Sequence, residues 1–408
     1  MKPNLAAPFP VRRKMANPPF RRRQRGAALL LMVLVLVVGV VVLFLPETRT
    51  NSRVDVEQTT AQALSRARDA LLGYATAYPD VNGGVRGPGF LPCPDLDNDG
   101  YSDPPCNTTP GQLTIGRFPW REVEAGDLRD GNGERLWYAV SSNYREAPKV
   151  AALHSDTDLH PFFVLNGGSR RLAAVILAPG LPLAGQSRPG NRVSDYLEGA
   201  NASSVHADPK EFRSYPDEIG NGNDRALGIG RDELLRLMER RVLAEGRRLL
   251  QEYHRACGYL PWAAPFDPTS SPHEALFGQT EGLLPVDDAA APPPSATVDW
   301  NSPCAFGVTP SVPAWFTVEG WQRQIYYAAA APRLEGGTGI CGVCLTLNGI
   351  GGVPALLVAA GRDLVGVRPS SVPAHYFEGD NATVGDGSFE SRSPSPSFND
   401  KVMMVDLP

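Results

Sequence analysis

The segment on which the fold prediction depends reads Arg21-Arg22-Arg23-Gln24-Arg25-Gly26-Ala27-Ala28-Leu29-Leu30-Leu31 and continues as an apolar run to Leu45-Pro46. Residues 27–45 include no charged side chain. As a helix they would rise roughly 28 Å, close to the hydrocarbon thickness of a bilayer. The run therefore predicts a transmembrane helix over residues 27–46. The predicted anchor side chains are Leu29, Leu30, Leu31, Val35, Val38 and Val42.

The charges on either side of this run predict its direction. Residues 1–26 contain eight Lys or Arg and no acid, whereas the rest of the chain has 31 basic and 44 acidic residues. Because basic residues stay on the cytoplasmic side, we expect a single-pass protein with a cytoplasmic N-terminus and an exported remainder. A secretory signal peptide fits less well, since its apolar core is about 7–15 residues long and ends at a small-x-small site. The acidic remainder also argues against nucleic acid as a partner.

The order of a basic cluster, Gly26 and an uninterrupted apolar helix resembles the leader of type IV prepilins and type II secretion pseudopilins. The resemblance implies a bacterial inner-membrane protein and a basic leader peptide over residues 1–26, whose true start is Met1 or Met15. A prepilin peptidase would cut between Gly26 and Ala27, and the new N-terminus would be methylated. The family usually has a glutamate five residues after the cut, where this chain has Leu31. Loss of that carboxylate resembles the minor subunits at filament tips.

Two amphipathic helices are predicted beyond this segment. Residues 56–78 place Val56, Ala63, Ala67, Leu71, Ala75 and Tyr78 on one face. Residues 232–253 do the same with Leu234, Leu235, Met238, Val242, Leu249, Leu250 and Tyr253. Short strand-like segments at residues 135–140, 161–165 and 172–177 are bounded by turn-forming residues, as in an antiparallel sheet.

Landmarks recur in the same order after each helix. The clearest pair is Tyr196-Leu197-Glu198-Gly199-Ala200-Asn201-Ala202 and Tyr376-Phe377-Glu378-Gly379-Asp380-Asn381-Ala382. Asn223-Asp224-Arg225 and Asn399-Asp400-Lys401 then follow at nearly the same offset. A period of roughly 175–190 residues is the size of a domain, so the pattern predicts an internal duplication.

The resemblance and the duplication together imply an α+β fold. Its first part would be a long N-terminal transmembrane and amphipathic helix packed on an antiparallel sheet, as in pilins. A second, tandem helix-plus-sheet domain would follow. The predicted divisions are the leader 1–26, the transmembrane helix 27–46, a first periplasmic domain 47–230 and a second periplasmic domain 231–408.

An acidic loop is the strongest candidate for a metal site. Asp95, Asp97, Asp99 and Asp103 alternate around Gly100, and a curling loop with this spacing directs carboxylates at one point, as calcium requires. Three residues beyond Asp103, where a calcium loop has its closing acid, this chain has Cys106. The alternatives are therefore a calcium site and a solvated Asp/Asn/Gly turn held by a disulfide.

Six cysteines in an exported chain predict disulfides. Cys93 and Cys106 bracket the acidic loop and are expected to pair, as are Cys257 and Cys304 between matching landmarks of the second copy. Cys341 and Cys344 form a Cys-x-x-Cys motif. We expect a short structural disulfide there, and a thiol-redox site is the alternative.

The repeated Tyr-x-Glu-Gly-x-Asn-Ala motif is expected to be structural, with Glu198 and Glu378 bonded to nearby backbone amides. No nucleophile, phosphate-binding or His-Asp motif is present, so the sequence predicts no enzyme. The preferred function is a minor pilin or pseudopilin at a filament tip, whose partners are the inner membrane, prepilin peptidase, other subunits and the assembly platform. The rivals are an uncleaved, signal-anchored periplasmic binding protein or adhesin, and a thiol oxidoreductase.

Overall fold

The computed structural model describes residues 25–106, 113–148, 152–159, 162–215, 222–269, 275–285, 311–334, 336–337 and 344–407, with side chains of residues 25–29 and 39–52 excepted. The chain divides into two compact units, Met1–Asp55 and Val56–Pro408. Within the second unit we call residues 56–230 the first half and residues 231–407 the second half. The two halves are described separately before their contacts.

Helix α1 spans Arg25–Val81. In the second unit its predicted apolar face is buried at Ala63, Ala67, Leu71, Ala75 and Tyr78. Val56, the first residue of the predicted face, is half-buried. The helical spacing of apolar residues thus identified the packed face of this part of α1.

The predicted transmembrane helix over residues 27–46 is wrong. Among the residues that the structure describes, none of the helices offers an apolar stretch long enough to cross a bilayer. The same finding overturns the predicted single-pass inner-membrane localisation. The α+β composition is present, without the long apolar N-terminal helix that the predicted fold class included.

Six strands form the sheet of the first half. They are β1 (Ile115–Arg117), β2 (Trp137–Val140), β3 (Phe163–Leu165), β4 (Leu172–Ala178), β5 (Lys210–Phe212) and β6 (Arg225–Gly230). β1, β2, β4 and β6 pair in that order and antiparallel, with β4 central and fully buried. β3 joins the start of β4 and runs parallel to β5. Helix α2 (Gly199–Ala202) lies between β4 and β5 in the chain.

The second half has the same pairing divided between two sheets. Its elements are α3 (Arg231–Cys257), β7 (Glu281–Leu283), α4 (Ala314–Val318), β8 (Ile325–Ala329), β9 (Leu345–Leu347), β10 (Ile350–Val353), β11 (Ala355–Ala359), β12 (Ser388–Phe389) and β13 (Lys401–Met404). One sheet has the antiparallel order β7-β8-β11-β13, and the other contains β10-β9-β12 with β9 parallel to β12. Asn166-Gly167 and Asn348-Gly349, both at positive φ, follow β3 and β9 at the same place.

Helix α3 begins directly after β6, at the predicted division between residues 230 and 231. All seven residues of its predicted apolar face are buried, and the helix packs on β11 and β13 as well as β6. Gly258 caps the C-terminal end of the helix in the left-handed conformation, with a φ of +80°. Its backbone N–H donates a hydrogen bond to the carbonyl of His254. One hydrophobic core contains residues of both halves, including Leu71, Tyr138, Met238 and Leu357.

Glu319 joins the two halves through polar contacts inside this core. Its side chain is fully buried and forms an ion pair with Arg86 of the first half. Its carboxylate also accepts hydrogen bonds from the amides of Leu153 at 2.6 Å and Gly87 at 3.3 Å. A buried carboxylate with these partners is stable only where every partner is in place.

We predict that Glu319→Ala lowers the free energy of unfolding by about 3–5 kcal/mol, because it removes the carboxylate that the half-buried Arg86 and two amides contact. Denaturant unfolding measures the change. Asp69→Ala is the matched control, since Asp69 also pairs with an arginine but is exposed, and it should cost less than about 1 kcal/mol. Equal losses in the two variants would contradict this role for Glu319.

Candidate functional site: the acidic loop and the paired carboxyl networks

The acidic loop is fixed at both ends. A disulfide joins Cys93 and Cys106, as predicted. The backbones of Asp95 and Arg117 of β1 form an antiparallel bridge. The amide of Asp95 donates to the carbonyl of Arg117 at 3.0 Å, and the amide of Arg117 donates to the carbonyl of Asp95 at 2.6 Å. Asn98 and Gly100 adopt positive φ values of 71° and 97°, so the chain turns sharply between them.

Three carboxylates of this loop come together. Oxygen atoms of Asp95, Asp97 and Asp99 all lie within 4.8 Å of one another. Asp95 is buried and accepts hydrogen bonds from the amides of Asn98 and Gly100 at 2.5 and 2.8 Å. Asp97 and Asp99 are exposed, and each accepts one backbone amide, which leaves an oxygen available on each.

The surroundings of the loop have opposing effects on the pKa of Asp95. Burial raises the pKa of Asp95, and the amides of Gly100 and Asn98 lower that pKa in part. The negative charges of Asp99 and Asp97 raise it further, which is the effect that a bound cation would relieve. The Arg135 guanidinium donates to the carbonyl and side-chain oxygens of Asn98 at 3.0 and 2.9 Å, so a positive charge already lies beside the loop.

The fourth predicted ligand, Asp103, is not part of the group. Its carboxylate accepts a hydrogen bond from the amide of Leu96 at 2.6 Å and so closes the loop instead. Cys106, at the position of the closing acid, is bonded to Cys93 and cannot act as a metal ligand. The loop can therefore offer a hard cation one available oxygen each from Asp97 and Asp99 beside the amide-bonded Asp95. The remaining ligands of a calcium ion would have to be water or backbone oxygens.

Comparisons with known proteins leave the chain without a family. No protein-family model, no curated protein and no solved structure matches it. The resemblance to pilins and pseudopilins therefore stays a prediction from the N-terminal segment.

The other cysteines are placed in part. Cys257 and Cys344 are disulfide-bonded. Cys304 and Cys341 lie outside the described residues, so the predicted pairs Cys257–Cys304 and Cys341–Cys344 stay predictions.

The predicted cleavage residues Gly26 and Ala27 lie at the start of α1. Among the predicted anchor residues, Leu30, Leu31, Val35 and Val38 are between 53% and 72% exposed. The side chains of Leu29 and Val42 are not among those described.

The repeated motif forms the same hydrogen-bond network in each half. In the first network, Asp224 accepts from the amide of Glu198 at 3.0 Å and from the side-chain amide of Asn201 at 2.8 Å. Glu198 in turn accepts from the amide of Asn223 at 3.2 Å. The motif glutamate thus bonds to a backbone amide, as predicted.

The second network repeats these bonds with Glu378, Asn381, Asn399 and Asp400. Asp400 accepts from the amide of Glu378 at 2.9 Å and from the side chain of Asn381 at 3.0 Å. Glu378 accepts from the amide of Asn399 at 2.9 Å. Each network ties its motif to the last strand of its half, since Asp224 and Asp400 immediately precede β6 and β13.

An arginine supports each motif in the same way. Arg188 lies over the ring of Tyr196 at 4.7 Å and donates to the carbonyls of Gly180 and Tyr196. Arg368 lies over Tyr376 at 4.5 Å and donates to the carbonyls of Gly361 and Tyr376. These arginines hold the segment before each motif against its tyrosine.

The sequence interpretation missed Arg188, Arg368 and the roles of Asp224 and Asp400. A signal was present, because an Arg-Pro dipeptide stands eight residues before each motif tyrosine. Pairing each motif with the Asn-Asp dipeptide that follows it would have identified both networks.

Burial and the neighbouring Glu198 raise the pKa of Asp224 to about 8. Burial and Glu378 likewise raise the pKa of Asp400. One oxygen of each aspartate is buried without a hydrogen-bond partner among the described residues. A carboxyl proton on Asp224 shared with Glu198 would satisfy the Asp224 oxygen, and the pKa of about 8 favours this protonated form at neutral pH.

We predict that Asp224→Asn reduces the loss of stability with rising pH. Asp224 binds a proton in the folded state up to about pH 8 but only to about pH 3.9 when unfolded. Its contribution to stability is therefore complete below about pH 4 and falls as pH rises towards 8, by at most about 1.4 kcal/mol per pH unit.

The asparagine amide can donate to Glu198 at every pH, so the variant should be the more stable protein at pH 8. Thermal unfolding of both proteins between pH 4 and pH 9 measures the difference. Asp158→Asn, at an exposed position, is the control and should leave the slope unchanged. A variant slope as steep as that of the wild type would contradict the shared proton.

Proposed function

We propose that the chain is a non-enzymatic minor subunit of a helical filament of the type IV pilus or type II secretion pseudopilus kind. The observation that supports the proposal is the exposure of every side chain from residue 30 to residue 38. All nine are apolar and more than half exposed. A surface of this kind normally marks an interaction site.

The contact must surround the helix. Successive residues point in different directions around an α-helix, so nine consecutive exposed apolar residues cover all its faces. A helix that is apolar all round is stable only when it is covered on all sides. Equivalent helices of neighbouring subunits would supply that cover in the centre of a filament.

Two features favour a minor subunit over a repeated one. Leu31 replaces the glutamate that the resembling family usually has after the cleavage site. With 408 residues, the chain is also bulky for a tight helical lattice. Both features suit a subunit at the filament end, where only one side of the subunit contacts another.

We predict that the mature protein begins at Ala27 and enters the filament fraction of cells that assemble such filaments. Leu34→Asp should lower its recovery in sheared filaments by at least about tenfold, because a charge in an apolar helix contact has no partner. Val54→Asp is the matched control, since Val54 is an exposed apolar residue of α1 outside residues 30–38.

N-terminal sequencing and immunoblotting of the filament fraction provide the two measurements. An intact leader would contradict the proposal and favour a binding protein or adhesin that does not assemble. Equal recovery of the Leu34→Asp and Val54→Asp variants would contradict the role of residues 30–38.

We also propose calcium binding by the acidic loop, which the convergence of the Asp95, Asp97 and Asp99 carboxylates favours. Asp97 and Asp99 would provide their available oxygens, and Asp95 would shape the loop. The missing closing acid and the nearby Arg135 place this site at the weak end of the range, with Kd about 10⁻⁴–10⁻³ M.

Calorimetric titration of the full chain with calcium chloride should show one saturable site, and Asp97→Asn with Asp99→Asn should remove it. Asp386→Asn is the control, because Asp386 also accepts a local backbone amide in an exposed turn. Absence of binding by the wild type at millimolar calcium would identify the loop as a turn held by its disulfide.

A further inference from the structure

Hydrogen bonds identify equivalent positions at the ends of β4 and β11. Arg188 donates to the carbonyl of Gly180 at 2.6 Å, and Arg368 donates to that of Gly361 at 2.6 Å. Asn223 donates to the carbonyl of Leu181 at 2.7 Å, and Asn399 donates to that of Arg362 at 2.8 Å. Gly180 therefore corresponds to Gly361, and Leu181 corresponds to Arg362.

In the first half this position is filled by the chain itself. Asp130 is buried, and its carboxylate accepts a hydrogen bond from the amide of Gly180 at 2.9 Å. Glu57 and Arg225 form an ion pair beside it. Only about 60 Å³ of space remains among these residues.

In the second half a larger cavity lies at the equivalent place. It measures about 360 Å³ and lies between the N-terminal part of α3 and the segments that follow β11 and precede β13. Among the described residues, no carboxylate accepts a hydrogen bond from the amide of Gly361. The internal carboxylate of the first half has no described counterpart here.

Two arginines, Arg236 and Arg362, line this cavity together with the acids Asp232 and Glu239. Arg236 is exposed and forms no hydrogen bond or ion pair with the described part of the chain. Arg362 stands where the first half has Leu181, and it forms an ion pair at 3.6 Å with the exposed Asp232, which also lines the cavity. Both guanidinium groups can therefore donate to an anion in the cavity.

Two buried polar groups also line the cavity. Glu239 is 2% exposed and has no hydrogen-bond partner among the described residues. The side-chain oxygen of Asn399 is buried and equally without a described partner. Burial, and then the charge of Asp400, raises the pKa of Glu239, whereas Arg236 and Lys401 lower it in part. The raised pKa favours the uncharged carboxyl, which repels an anion less than a carboxylate does. The Asn223 oxygen of the first half is likewise without a described partner, but only Asn399 has a cavity of this size beside it. Glu239 and Asn399 can therefore exchange hydrogen bonds with a ligand that has donors and acceptors.

We propose that this cavity binds a small hydroxylated carboxylate such as a sugar acid. The ligand carboxylate would contact Arg236 and Arg362, in place of the internal carboxylate that Asp130 provides in the first half. Ligand hydroxyls would satisfy Glu239 and the Asn399 oxygen. Leu235, Pro394 and Pro396 provide an apolar wall for the C–H face of a sugar ring.

Calorimetric titration of the full chain with D-glucuronate tests the proposal, and D-glucose is the matched ligand without a carboxylate. Glucuronate should bind at least about tenfold more tightly than glucose, because only its carboxylate can form charge-assisted hydrogen bonds with the arginines. Loss of this preference, or no saturable glucuronate binding by the wild type at millimolar concentrations, would overturn the proposal.

Variants test the residues. Arg362→Leu places in the second half the residue that the first half has at Leu181, and Arg236→Leu removes the other guanidinium. Each should weaken glucuronate binding at least about tenfold. Arg213→Leu, at an exposed ion pair of the first half, is the control and should bind as the wild type does.

Glu239 is tested with two variants, so that a folding defect is separated from a lost contact. Glu239→Leu should weaken glucuronate binding about fivefold or more, whereas Glu239→Gln should bind within about threefold of the wild type because its amide keeps the hydrogen bonds. Wild-type affinity in Arg362→Leu, or equal affinity of the two Glu239 variants, would overturn the assigned contacts.

Discussion

The buried carboxyl groups of Asp224 and Asp400 are the contacts on which each half depends. Each aspartate accepts the amide that begins the repeated motif and the side chain of the motif asparagine, immediately before the last strand of its sheet. A segment with little regular structure is thereby fixed to a sheet. Because burial beside a glutamate disfavours the ionised form, the pKa of each aspartate is raised, and the contact depends on protonation as well as on geometry.

Local patterns predicted local structure well. The faces of α1 and α3 followed from helical spacing, and the Cys93–Cys106 disulfide followed from the short loop that it closes. Calcium-type spacing brought three of four aspartates together, and Asp103 failed because a backbone amide was a nearer partner. The transmembrane prediction considered the apolar run alone and failed against the described helices.

The remaining features arise from contacts between distant residues, which spacing along a sequence does not report. Glu319 acts on Arg86 and Leu153, which lie more than 160 positions before it. Glu239 lies on the buried face of α3 between Met238 and Val242. In the sequence it interrupts the apolar pattern of that face, and the pattern gives no reason for an acid there. Only the folded position of the segment before β13, which includes Asn399, shows that Glu239 borders a cavity. The repetition was nevertheless visible in sequence, and aligning the two halves residue by residue would have shown Arg362 against Leu181.

The direct passage from Gly230 of β6 to Arg231 of α3 bears on synthesis of the chain. Met238 of α3 packs beside Gly89 and Leu153, and Glu233 pairs with Arg68, so α3 completes the core of the half that precedes it. When only residues 56–230 have left the ribosome, the nascent chain therefore exposes the apolar surface that α3 covers in the folded protein. The core of the first half is therefore complete only after the N-terminal part of α3 has left the exit tunnel, and a pause in translation just before α3 would prolong the exposed state.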